Sequence, residues 1–169
     1  MATALTRLGI DFILSFDYTS SLDLGDVKDN QRLSYPEAWT DGDAADKAEI
    51  VFHDQRTLTA TSEDLDLYGN LTDAFGNTLS FAKVKAIFIK NKNTGAGENL
   101  IVGGAAANGV STLFSDTTDK LIIGPDGMLL LTNPSAAGYA ITGGTADLLK
   151  LDAGANTVVF DIVIVGTAA

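Results

Sequence analysis

The chain has 169 residues, no cysteine, a single histidine and a formal net charge of −11. This length fits one compact domain that buries roughly 70% of its extended surface without covalent staples, and the lack of cysteine removes disulfides, thiolate nucleophiles and cysteine metal ligands. Residues 1–75 hold fifteen acidic and five basic side chains, residues 76–169 seven and six; the acidic half repels phosphate backbones and anionic lipid, so neither nucleic acid nor a membrane is an expected partner.

Residues 8–16, LGIDFILSF, are apolar but contain Asp11 and lack a basic flank and a small-residue cleavage site, which fits a secretory signal poorly. The run is also too short to span a bilayer. A soluble chain made in the cytosol is expected, and the Asn70-Leu71-Thr72 sequon is then without consequence.

Residues 10–24 predict an outer strand with Ile10, Phe12, Leu14 and Phe16 on one face and Asp11, Ser15 and Asp17 on the other. Residues 25–47 hold Gly25, Asp26, Asp29, Asn30, Pro36 and four further Asp or Gly positions between 41 and 46. They read as a long polar loop around one short strand at 32–35, the best candidate for a partner-facing segment. Residues 48–60 predict a strand carrying Ile50, Phe52 and Leu58, with a bulge near Asp54. Leu65 and Leu67 alternate with Asp64 and Asp66, and Gly69-Asn70 and Phe75-Gly76-Asn77 supply turns. Residues 78–91 are ambiguous: Leu79, Phe81, Ala82 and Lys85 fit one helical turn, after which Ala86 to Ile89 extend into a strand.

Short apolar runs follow at 100–102, 113–114, 120–123, 128–131, 139–142 and 148–151. Between two of them, Pro125-Asp126-Gly127 predicts a hairpin, with Pro presetting the turn and Gly accepting positive φ. From 156 onward, Val158, Phe160, Ile162 and Ile164 alternate with Val159, Asp161, Val163 and Val165. Both faces of that strand are almost wholly apolar, so both must be covered. About ten short strands and at most one short helix describe an all-β, antiparallel β-sandwich, with a jelly roll as the expected connectivity. One domain, 1–169, is expected, with 1–49 as an arm or loop region.

No catalytic residue, cofactor or metal is expected. His53 and Asp54 are neighbours in a strand and point to opposite faces, and no Gly-x-Ser-x-Gly elbow supplies a nucleophile. Asp41, Asp43, Asp46, Asp64 and Asp66 lack the EF-hand spacing and its terminal Glu. The glycines at 95, 97, 103 and 104 lack the strand-to-helix setting and Gly-Lys-Ser/Thr of a phosphate loop. Carboxylate pairs suited to glycoside hydrolysis have no motif that places them.

Candidate interface residues are Tyr35, Trp39, Lys83, Lys85, Lys90 and Lys92. Tyr35 and Trp39 crowd the long polar segment, where an aromatic stacks on sugar or anchors a protein contact; Trp39 either does this or plugs the end of the core. The four lysines form the dense basic cluster, with Lys83 and Lys85 on one strand face and Lys90 and Lys92 on the other, set to meet acidic surface on another subunit.

The phrases FGNTLSFAKVKAIFIKNKN, LIIGPDGMLLLTNP and GYAITGGTADLLKLDAGANTVVFDIVIVGTA resemble small β-sandwich virion proteins of tailed bacteriophages, among them capsid decoration or cement proteins. The likeness is one of style and strand order over roughly residues 50–169. It implies a non-enzymatic subunit, commonly a homotrimer, assembled in the host cytoplasm and bound to the major capsid protein on the virion surface. A tail or baseplate component and a carbohydrate-binding, receptor-binding module are the alternatives.

Overall fold

The computed structural model describes residues 5–169, among which there are thirteen strands and no helix. In chain order they are β1 (Leu8–Leu22), β2 (Gly25–Asp41), β3 (Lys47–Ala48), β4 (Ile50–Thr59), β5 (Ser62–Asp66), β6 (Tyr68–Thr72) and β7 (Thr78–Asn91). Then come β8 (Leu100–Gly103), β9 (Lys120–Ile123), β10 (Met128–Thr132), β11 (Tyr139–Ala140), β12 (Leu148–Asp152) and β13 (Thr157–Ala168). The chain is all-β. One sheet runs β10-β7-β13-β4, with β6 and β11 also on β7; a second runs β5-β12-β8-β9. Their inner faces share one core, in which Phe52, Ile87, Phe160 and Ile162 of the first sheet meet Leu65, Leu100, Val102 and Leu151 of the second. These orders describe a sandwich and give the expected jelly-roll connectivity no support.

The strand that is apolar on both faces, β13, lies in the middle of the larger sheet, between β4 and β7. Val158, Phe160, Ile162 and Ile164 enter the shared core. Val165 and Val163 face outward into a smaller cluster with Trp39, Ala48, Ala86, Leu8 and Ile10. The ladder between β4 and β13 is continuous from Thr59 to Ile50, so the bulge expected near Asp54 is absent.

The irregularities lie in β7 instead. Its pairing with β13 skips Ala82 and Lys85, and two skips let Leu79, Phe81, Val84, Ile87 and Ile89 all face the core. Inward residues spaced by two, three, three and two mimic helical spacing, which is why residues 78–85 read as a helical turn although they are strand. At the second skip, a Cβ on Gly166 would sit 2.0 Å from the Lys83 carbonyl oxygen, so only glycine permits that approach.

The Pro125-Asp126-Gly127 turn is also not a hairpin. β9 belongs to one sheet and β10 to the other, so the turn is a corner between layers. Gly127 N–H donates to the Gly124 carbonyl at 2.9 Å, and Asp126, rather than the glycine, takes the positive φ of 55°. The corner is tied to the end of β7: Asn91 Nδ2 donates to the carbonyls of Ile123 at 3.2 Å and Gly124 at 3.1 Å, and its N–H to Gly127 at 3.0 Å. With those carbonyls engaged, β10 continues along β7. The predicted strand at 113–114 is a turn segment, and Leu113 and Phe114 pack on the core from there.

The largest departure is at 25–47. The expected polar loop is strand from Gly25 to Asp41, paired with β1 residue for residue from Leu22 opposite Gly25 to Leu8 opposite Trp39. Asp23 and Leu24 alone make the turn. Pro36 is tolerated because β2 has no neighbour on its other side until Thr40 and Asp41 meet β3. Ile162→Ala in β13 is expected to cost about 2–5 kcal/mol, read as a lower urea midpoint with an unchanged m-value.

Candidate interaction surface

The β1–β2 ribbon is amphipathic. Register puts Leu8, Ile10, Phe12, Leu14, Phe16 and Tyr18 on the same face as Trp39, Tyr35, Leu33 and Val27. The other face carries Asp11, Ser15, Asp17, Lys28, Arg32 and Ser34. At its base the apolar face packs on the outer side of the larger sheet, where Trp39 is 1% exposed against Ala48, Ala86 and Val165. Trp39 Nε1–H donates to Glu37 Oε2 at 2.9 Å. Farther out the cover ends, and every residue from Asp11 to Pro36 is exposed. Tyr35, 60% exposed, stacks on Phe12 across the ribbon with ring centroids 6.5 Å apart.

Where the ribbon lifts off the sheet it leaves an apolar groove of about 500 Å³, walled by Leu8, Ile10 and Phe12 and floored by Ala86, Phe88, Leu130, Val163 and Val165, with Met128 at its side. Cross-strand register orders this floor. Thr132, Ala86, Val165 and Val51 form a row beneath the ribbon base; Leu130, Phe88, Val163 and His53 form the next; Met128, Lys90, Asp161 and Gln55 form a third, partly charged row. Met128 is 65% exposed.

The expected interface residues divide. Tyr35 is on the exposed ribbon face. Trp39 is a plug, because it fills the gap between the ribbon base and β13 and presents no surface. The lysines do not form a free basic patch. Lys85 is fully buried, its ammonium donating to the carbonyls of Ala44 at 3.2 Å and of Ser135; burial first, and Lys83 second, hold its pKa below the ordinary lysine value. Lys83 donates to the Ala136 carbonyl at 3.0 Å. Lys90 pairs with Asp126 at 2.5 Å and Lys92 with Asp161 at 3.4 Å. Lys83 and Lys85 lie toward the same loop after β10, where their ammonium groups meet the adjacent carbonyls of Ala136 and Ser135.

His53 is exposed on the outer face opposite Val163. Its neighbour Asp54 lies 3.2 Å from Arg56 Nε. Among the described residues there is no group of three metal-ligating side chains, and no helix is long and apolar enough to cross a membrane. Some of the acidic residues organise turns: Asp66 accepts from Tyr68 N–H at 2.8 Å and Asn70 Nδ2 at 2.6 Å. Asp73 does the same for the loop that presents Phe75 at 80% exposure. The Asn77 side-chain amide, together with the N–H groups of Asn77 and Phe75, holds its carboxyl below the usual carboxylate range.

The sequence reading missed the outer ribbon face as a surface, because β1 alone looks like a half-buried strand. The available signal was the alternation of Val27, Leu33, Tyr35 and Trp39, which falls into register with the apolar row of β1 around a two-residue turn. No family model matches the chain, and no curated protein and no solved structure is significantly similar to it.

Trp39→Ala is expected to speed hydrogen exchange throughout 8–16 and 34–41 while β7 and β13 keep their protection; loss of protection in β13 as well would make Trp39 a support of the whole sandwich. The lowered Asp73 pKa means that its turn is stabilised above the unfolded carboxylate value of 3.8 and that this is lost as pH falls through the folded value. The Phe75 and Asn77 amide resonances should therefore move only below that pH, and Asp73→Ala should abolish the transition.

Proposed function

We propose that this chain is a structural subunit of a tailed-bacteriophage particle, a decoration protein that binds the major capsid protein and stabilises the mature shell. The observation that carries this reading is the ribbon: two long strands, exposed from Asp11 to Pro36, that project an apolar face from a sandwich. A subunit of a shell needs a body that keeps its shape and a segment that reaches a neighbour. The continuous core serves the first need, and the ribbon serves the second. At about 3.4 Å per residue, Phe12 to Leu22 extends about 35 Å. Its free edges also expose backbone N–H and C=O groups that suit strand addition.

The particle itself is suggested by the likeness of residues 50–169 to phage β-sandwich virion proteins. Stabilisation would follow from linkage: contacts made only with the mature shell favour that state, by about 2.7 kcal/mol at a hundredfold excess over the dissociation constant. The acidic exterior suits a subunit that must stay soluble before assembly. A second reading, a carbohydrate-binding module, is favoured by the exposed rings of Tyr18 and Tyr35 on the same ribbon face.

The test is the copy number of this chain in purified virions, by quantitative mass spectrometry against the major capsid protein. A ratio near that of the capsid protein is expected. A few copies per particle would move the subunit to the tail or baseplate, and absence would overturn the particle reading. Saturable glycan binding lost in Tyr35→Ala would establish the carbohydrate module in its place.

A further inference from the structure

The ribbon stands over the outer side of the larger sheet without closing on it. Ile10 and Phe12 face Phe88, Leu130 and Val163 across the groove of about 500 Å³. A second opening of about 290 Å³ lies on the other flank of the same two residues, bounded by Tyr35, Leu130 and Thr132. At about 30 Å³ per molecule, the larger space holds roughly fifteen waters, to which its apolar walls offer few hydrogen bonds. Both walls are wet: Phe12 is 46% exposed above, and Leu130 is 36% and Met128 65% exposed below. Apolar layers that face each other across water are driven together, because contact releases that water.

The tilt of the ribbon sets their separation, and one point of the ribbon is free to bend. Leu8 and Trp39, opposite each other, are fixed on Ala86 and Val165. β3 pairs with β2 only at Thr40 and Asp41, so from Ala38 outward the ribbon is two strands with no brace, and such a ribbon is marginal in water. The first pair beyond Trp39 is Gly9 opposite Ala38, the smallest cross-strand pair in the ribbon. Both residues are exposed, and a Cβ on Gly9 would meet nothing within 4 Å. No side chain resists bending there, and glycine adds backbone freedom.

We propose that the β1–β2 ribbon is a strap hinged at Gly9 and Ala38, which closes onto the sheet of its own chain and lays Phe12 on Phe88, Leu130 and Met128. The movement tilts a preformed ribbon and keeps every cross-strand partner in register. It expels the groove water and continues the packing that Trp39, Leu8 and Ile10 begin at the base. β10 is the last strand of the sheet on that side, so Phe16 and Tyr18, farther along the ribbon, stay bare in both positions. A partner that takes Phe12 or the floor then competes with the chain's own strap, and the open fraction scales its apparent affinity.

Oxidation of Met128 by dilute hydrogen peroxide, followed by mass spectrometry, reads the position of the strap, because thioether oxidation follows exposure. An open ribbon leaves Met128 as reactive as N-acetylmethionine in the same solution; a closed strap slows it several-fold. Slowing is expected at low micromolar full-length chain and, to the same extent, at a tenfold higher concentration. Phe12→Asp should remove most of the protection, and Gly9→Val, which stiffens the hinge in open space, should remove part of it. Neither change touches the core, and unchanged far-ultraviolet circular dichroism checks this. In the unaltered chain the Met128 methyl resonance should carry the ring shift of Phe12, and Phe12→Leu should abolish that shift while keeping the protection.

Oxidation of Met128 at the free rate, protection indifferent to Phe12→Asp and Gly9→Val, or protection that grows with concentration would each overturn the strap, the last because another copy would then be the cover. The strap belongs to the free chain and does not rest on the particle reading. A chain that is absent from virions but protects Met128 refutes only that reading, and a chain abundant in virions with Met128 unprotected refutes only this inference.

Discussion

Everything else in this molecule depends on the burial of β13 from both sides. Its inner residues, Val158, Phe160, Ile162 and Ile164, are covered by the second sheet, which closes the sandwich. Its outer residues, Val163 and Val165, need a separate cover, and the ribbon base supplies it through Trp39, Leu8 and Ile10. Each fully buried large apolar side chain gains about 1.5–3 kcal/mol relative to exposure. The docking of the ribbon is therefore driven by the same force as the core, and Trp39 is the hinge pin between a body and an otherwise unsupported arm.

The joint is reinforced by polar groups whose placement follows from the two skips in β7. Turning Lys85 out of the regular ladder sends its ammonium to the Ala44 and Ser135 carbonyls, which ties the loop after β2 to the loop after β10. Gly166 allows the backbone of β13 to approach β7 at the same place. A buried ammonium is tolerated here because carbonyl oxygens replace its water, and burial lowers its pKa because that replacement is incomplete. The structure thus uses a candidate interface lysine for internal bracing, while the apolar ribbon face from Phe12 to Tyr18 stays exposed.

A ribbon of this kind has a cost. It exposes apolar side chains and open strand edges, both of which promote unwanted association. The polar face with Asp11, Asp17 and Asp26 and the acidic charge of the first half oppose that.

Much of this was legible in the residues. Alternation marked β1, β4 and β13, the two-sided apolar pattern of β13 required cover on both faces, and β9 and β12 fall where the apolar runs place them, because local pleat geometry dictates which positions can be buried. The strand β2 was hidden by Asp, Asn, Gly and Pro, residues tolerated there only because the ribbon is solvated on its edges and one face. The β7 skips turned a strand into a helix-like spacing, and the turn at Asp126 became a corner because Asn91 engages its carbonyls. By itself the sequence determined the all-β class and the need to cover β13 twice, since those follow from side-chain period alone. Which segment provides the outer cover, and that Trp39 is buried while Phe16 and Tyr18 are bare, was decided by the tertiary structure, because burial depends on how far the ribbon overlaps the sheet and no local pattern encodes that distance.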